Sequence, residues 1–215
     1  MKIFVVSPHP DDETLGCGGT LLKHKKNNDQ IFWNIVTKPL NEKTNKKREK
    51  EITKVATKYN IKKIIRANYT TAELKKKDIY KLINFFKTHI VKIKPDIVYL
   101  PFYGDIHSDH RIIFESFLPF SKSFRFNFIK KILCYEVLSE TNLNIGFLKS
   151  FKPNYFVDIT PYLINKIKIM GIYKSEIKKH PFPRSKISIT AQAQLRGSQI
   201  NRKYAEAFEV IKIIE

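Results

Sequence analysis

Seven side chains able to hold a metal ion or move a proton fall in two short runs of this 215-residue chain: His9, Asp11, Asp12 and Glu13, then His107, Asp109 and His110. A catalytic zinc typically takes three protein ligands from imidazole and carboxylate and leaves one position open for water. Two histidines and one aspartate drawn from these runs supply such a set. A carboxylate and an imidazole are then left over for proton transfer and charge stabilisation. Each residue alone has a plainer explanation. An Asp beside a helix start satisfies free backbone N–H groups, and Asp109 suits a turn or cap before a helix that begins near Arg111. The combination, not any single member, points to hydrolytic metal chemistry.

Both runs follow apolar segments that read as strands. Residues 3–7 have the pattern of a buried strand, 14–25 of a helix and 31–37 of a second strand. A helix is predicted over 46–59, with Ile52, Val55, Ala56 and Tyr59 at helical spacing, and Ile64-Ile65 offers a short strand. Ile79, Leu82, Ile83, Phe86 and Ile90 form the apolar stripe of an amphipathic helix over 78–92, and Pro95-Asp96 separates it from a strand at 97–101. Further on, 131–138 and 155–159 read as strands, and 161–178 and 200–213 as helical. The Pro-rich stretch 180–185 reads as an ordered loop. Strands alternating with helices predict an α/β, Rossmann-like three-layer fold, with a mostly parallel sheet and helices on both faces, as a single domain over 1–215. In such sheets sites collect beyond the C-terminal ends of the strands, so the loops after 3–7 and 97–101 are expected to converge. Gly16, Gly18 and Gly19 fit as small residues that let the first helix approach the strand and its loop. Their spacing matches neither common nucleotide-binding fingerprint.

Forty Lys plus Arg against twenty Asp plus Glu give a formal charge of +20. That charge attracts nucleic acid, an anionic membrane surface or a phosphorylated small substrate, and does not choose among them. The basic residues are spread along the chain with no RNA-binding signature of interleaved aromatics, so no specific nucleic-acid partner is expected. No transmembrane segment is predicted, while peripheral contact with anionic lipid stays open. Cys17 and Cys134 form no disulfide framework or thiolate cluster, and a cytoplasmic location is the expectation. The sequence leaves the oligomeric state open.

Pro8-His-Pro-Asp-Asp-Glu13 with Thr14-Leu-Gly-Cys-Gly-Gly19 resembles the signature of the PIG-L/LmbE-type zinc-dependent N-acetylglucosaminyl deacetylases, and His107-Ser-Asp-His110 matches their second metal motif. Thr37, Arg48 with Glu51 and Ala56, Pro95-Asp96, Asp158-Ile-Thr160, Arg196-Gly197 and Tyr204-Ala-Glu-Ala-Phe208 extend the likeness over most of the chain. The resemblance implies that His9, Asp12 and His110 bind Zn2+, a site that Fe2+ or Co2+ could also fill. It implies that Asp11 is the general base toward the attacking water. His107, as imidazolium, would stabilise the oxyanion or protonate the departing amine, and Asp109 would orient His107. Arg48 matches a position near the substrate, and Arg184 and His180 are candidates for an anionic group on it. Arg196 and Glu206 read as structural. The implied substrate is a small-molecule amino-sugar conjugate of the N-acetylglucosamine type, phosphorylated or nucleotide-linked sugars included. Two departures bear on the substrate: Lys38-Pro39 replaces an acidic, Gly-containing loop, and Ser175-Glu176 stands where Ser-Gln is common. The competing readings are a zinc amidase for a non-sugar N-acyl compound and, further off, a basic nucleic-acid-binding module.

Overall fold

The computed structural model describes residues 1–144, 146 and 148–215. In chain order its elements are β1 (Lys2–Ser7), α1 (Asp12–Lys26), β2 (Gln30–Lys38), α2 (Glu42–Tyr59), β3 (Ile61–Thr70), α3 (Ile79–Ile93), β4 (Ile97–Pro101), α4 (Ser108–Phe117), β5 (Lys131–Tyr135), β6 (Tyr155–Asp158), α5 (Leu163–Met170), α6 (Lys186–Ser198) and β7 (Ala205–Ile213). The strands form one seven-stranded sheet in the order β3-β2-β1-β4-β5-β7-β6. β1 to β5 pair in parallel, and β7 runs antiparallel between β5 and β6.

The alternation of side chains along each strand sorts them into two cores. Ile3 and Val5 of β1 point into one, with Leu15 and Leu21 of α1, Ile52 and Val55 of α2, Met170 of α5 and Ile189 of α6. Phe4 and Val6 point into the other, with Leu82 and Phe86 of α3 and Ile113 and Phe117 of α4. A sheet buried on both faces needs apolar residues at successive positions, which explains why the strands read as continuous apolar runs. The expected α/β three-layer fold is what the chain adopts. Chain progression reverses between β1 and β4: β2 and β3 extend the sheet one way from β1, and β4 starts the other half. Loops leaving these two neighbours open away from each other and leave a crevice at the strands' C-terminal ends.

The C-terminal third departs from the expectations. The helical reading of 200–213 is replaced by strand β7, because backbone pairing to β5 and β6 on both sides outweighs the helix preference of the Ala-Glu-Ala run. The helix expected over 161–178 is confined to α5, Leu163–Met170, and ends at Gly171. α6 was not anticipated. Its start is marked by Ser185, whose side chain caps the Ser188 amide, and Ile189, Ala193 and Gly197 face the core at helical spacing.

Candidate active site

Asp11 sets the geometry of the loop after β1. Its φ of 135° is a conformation that side-chain-bearing residues rarely adopt. The loop is held from both sides: the Asp11 amide donates to Glu13 Oε2 at 3.1 Å, and the Asp11 carbonyl accepts from the Thr14 and Leu15 amides at 3.0 and 2.9 Å. Buried Glu13 is itself fixed by the Thr14 hydroxyl at 2.6 Å and the Tyr173 hydroxyl at 2.9 Å. Strain of this kind persists only where the surroundings over-determine it. α1 can follow so closely because it lacks side chains where it crosses the sheet: a Cβ on Gly16 would lie 2.1 Å from the Tyr135 ring. The helix kinks at Cys17, which frees the Gly19 and Thr20 amides, and the Glu206 carboxylate accepts both at 2.8 and 2.7 Å. Glu206 is paired with buried Lys166, and Arg196 makes two bonds to Glu136, so the structural reading of both residues stands.

The loops after β1 and β4 bring three donor atoms together. Asp12 Oδ2 lies 3.3 Å from His9 Nδ1 and 3.4 Å from His110 Nε2, and those two nitrogens are 3.4 Å apart. His9 Nε2, on the far side of its ring, meets Asp109 Oδ2 at 3.1 Å, and His110 Nδ1 meets Asp105 Oδ2 at 2.7 Å. Two imidazoles each backed by a carboxylate, with one further carboxylate between them, is the donor chemistry of a divalent-cation site. His9, His107 and Asp109 form a second cluster of potential ligands. Two of its acceptor atoms already take backbone amides: Asp109 Oδ2 accepts from the Ala72 amide at 2.8 Å as well as from His9, and His107 Nδ1 accepts from the Asp109 amide at 3.1 Å, while Asp109 Oδ1 has no partner among the described residues. The first cluster therefore fits a cation better.

Charge follows the same arrangement. Burial opposes ionisation of Asp12, yet His110 and His9 hold its carboxyl far below the ordinary range. Burial also disfavours a charged His9, but bonds to Asp109 and Asp12 raise its pKa to about 9. Asp11 is pushed well above the usual carboxylate range by burial and by the Asp12 charge, against the pull of Arg184. Burial, reinforced by the positive charge of His9 and His110, depresses His107 to about 4.

The contacts of Asp109 and His107 bear on their expected roles. Asp109 faces His9 and stays 4.0 Å from His107 Nδ1, because its carboxylate is drawn to the nearer ring. His107 Nδ1 accepts from the Asp109 amide and so caps α4, an arrangement that suits the neutral ring with its proton on Nε2.

The cleft above these groups has a volume of about 360 Å³, with Asp11, His107, Arg48, Arg184, Glu140 and Glu176 in its wall. Arg184 reaches Asp11 Oδ2 at 2.9 Å and Glu176 at 3.1 Å. Arg48 pairs with Glu176 and with Glu51, the latter at 3.2 Å. His180 lies elsewhere, exposed at a separate depression beside Lys178, Lys179 and Lys186. The Pro-rich loop thus carries Arg184 into the cleft and leaves His180 outside. Sequence reasoning missed Asp105; the signal was an Asp in the same loop five positions before His110.

The model of the PIG-L family, described as GlcNAc-PI de-N-acetylase, matches residues 4–119, which carry both ligand loops. The chain belongs to the PIG-L family. The family's description names the hydrolytic removal of an N-acetyl group. A diacetylchitobiose deacetylase of Thermococcus kodakarensis is 25% identical over 225 aligned positions covering 98% of this chain and 83% of that protein. In structure, the N,N'-diacetylchitobiose deacetylase of Pyrococcus horikoshii superposes with a TM-score of 0.75 at 23% identity, over 98% of this chain and 83% of that one. A conserved protein of Thermus thermophilus superposes with a TM-score of 0.79 at 21% identity, over 99% and 96%. Both superpositions cover this chain's fold almost from end to end.

Proposed function

We propose that this protein hydrolyses the acetamide of an N-acetylated amino sugar, using a zinc ion held by His9, Asp12 and His110. The observation that carries the reading is the convergence of those three donor atoms beside two groups able to handle a proton, Asp11 and His107. The family's description and the diacetylchitobiose substrate of the Thermococcus relative point to N-acetylglucosamine-type sugars. Two imidazoles and a carboxylate suit zinc, and Fe2+ or Co2+ can take the same donors.

When bound, the ion supplies Lewis acidity toward the amide oxygen and the attacking water. Asp11, in the cleft wall beside the three ligands, takes the water's proton. Arg184 fixes Asp11 from the other side. His107 donates from Nε2 to the oxygen on which negative charge develops, as a neutral hydrogen-bond donor that needs no protonation step. Asp11, now carrying a proton, returns it to the departing amine. Asp105 and Asp109 orient the two imidazoles.

Acetate release from a panel of N-acetylated sugars and non-sugar N-acyl amines, with zinc-reconstituted protein, tests this reading. Sugars are expected to be cleaved, with kcat lowered roughly 10²- to 10⁴-fold in Asp11→Asn. Cleavage of the non-sugar amides alone would move the substrate to that class. No acetate from any compound, together with steeply salt-dependent nucleic-acid binding, would replace hydrolysis with a binding role.

A further inference from the structure

The chain's charge and the cleft's charge have opposite signs. The whole sequence carries a formal +20. The described wall of the cleft contains no lysine; Arg48 and Arg184 face Asp11, Asp12, Glu140 and Glu176. Two guanidinium groups against four carboxylates leave an excess of negative charge, which one bound dication would balance. Nothing in that wall offers the uncompensated positive charge that a phosphate dianion requires.

The pairing inside the wall is specific. Glu176 Oε1 contacts Arg48, and its Oε2 lies 3.1 Å from Arg184 Nη1, so one carboxylate compensates both cations. Arg48 is only 7% exposed and is also held by Glu51, so it has no freedom to swing toward a ligand. Arg184 is tied to Asp11 as well. A phosphorylated ligand would have to displace Glu176 and leave its half-buried carboxylate unpaired, which offsets whatever the phosphate itself would gain from the arginines. Burial alone would raise the Glu176 pKa, but Arg48 and Arg184 hold it below its usual value, so the carboxylate stays charged at neutral pH. Two donors remain: Arg48 Nη1 and Arg184 Nε are buried and have no hydrogen-bond partner among the described residues. Such N–H groups suit an uncharged oxygen, a sugar hydroxyl or an acetamide carbonyl.

We infer that Glu176 is a specificity-determining residue, which neutralises Arg48 and Arg184 and so makes the cleft select uncharged N-acetylated sugars over phosphorylated or nucleotide-linked ones. The inference rests on the deacetylase reading and narrows its substrate class. The global positive charge is then a property of the outer surface, not of the substrate site.

The test compares kcat/KM of the zinc-loaded enzyme for N,N'-diacetylchitobiose and N-acetylglucosamine with that for N-acetylglucosamine 6-phosphate and uridine-diphosphate N-acetylglucosamine. The uncharged sugars are expected to lead by at least about tenfold, as expected where an anion finds no free cation. Glu176→Gln keeps the shape and removes the one carboxylate that both arginines share, leaving Arg48 with Glu51 and Arg184 with Asp11, and is expected to shift the ratio toward the phosphorylated sugars by about tenfold or more. Glu140→Gln removes a charge from the wall without releasing either arginine, and is expected to shift it far less. Wild-type enzyme that cleaves the anionic sugars equally well or better overturns the inference. So does an unchanged ratio in Glu176→Gln, or an equal shift in Glu140→Gln. Calorimetric binding of glucosamine against glucosamine 6-phosphate to wild-type protein gives the same ranking without turnover and without a variant that must fold. If no sugar releases acetate, the deacetylase reading fails; if acetate is released with the anionic sugars ahead, only the selectivity fails.

Discussion

His9 and His110 each turn one nitrogen toward Asp12 and the other toward a second carboxylate, Asp109 for His9 and Asp105 for His110. That arrangement predicts how the metal-free protein responds to pH. His9 gains a proton partner on folding, and its pKa rises from 6.5 to about 9. A raised pKa contributes stability that is complete below the unfolded value and lost as pH climbs through the folded one. His110 is raised in the same sense. Chelator-treated protein should therefore show a falling Tm between pH 6.5 and 9, whereas zinc-loaded protein, whose two rings the ion holds in the neutral form, should not. A flat Tm for the chelated protein across that window would argue against this pairing. The seven chemical residues were legible from sequence because type and spacing mark them. The roles of two were not: whether Asp109 faces His9 or His107, and which nitrogen of His107 carries the proton, depend on side-chain direction, which spacing leaves open.

At the level of elements, α1 has the tightest tolerance. Gly16 packs a bare Cα against the Tyr135 ring, and Tyr135 is anchored through its hydroxyl to the Val6 carbonyl at 2.7 Å. The ring has nowhere to retreat. Gly16→Ala is expected to cost ~1–3 kcal/mol by overpacking, read as a lower urea midpoint, and to displace the loop that carries Asp11 and Asp12. A midpoint equal to wild type would show that the contact relaxes. Strands β1, β2, β4 and β5 were legible because burial on both faces writes continuous apolar runs, whereas β3, at the sheet edge with only Ile65 buried, showed no more than the short Ile64-Ile65 run. β7 was not, because Ala-Glu-Ala favours a helix locally and only its neighbours β5 and β6 make it a strand. α6 lacks a strong apolar stripe, with Ile187 and Leu195 exposed, so its periodicity gave little signal.

Across the whole molecule, one sheet reversal gathers the chemistry. Residues one hundred positions apart, His9 and Asp109, meet because β1 and β4 are neighbours and both loops leave at their C-terminal ends. The fold class was readable from the alternation of elements, and with it the convergence of the two loops. The net charge was not informative about the site, since it counts surface lysines that the cleft excludes. Among the described residues no helix is long and apolar enough to cross a membrane. The two cysteines are both buried as free thiols.

The central claim is that one cation on His9, Asp12 and His110 enables Asp11 to drive amide hydrolysis. Titrating zinc into chelated protein while following acetate release from N,N'-diacetylchitobiose tests it directly. The account predicts a rate that rises to a plateau at one equivalent per chain. Asp11→Asn should bind that equivalent and release little acetate, and His110→Ala should not retain it. Acetate release that is independent of zinc, or full zinc retention by His110→Ala, would contradict the assignment.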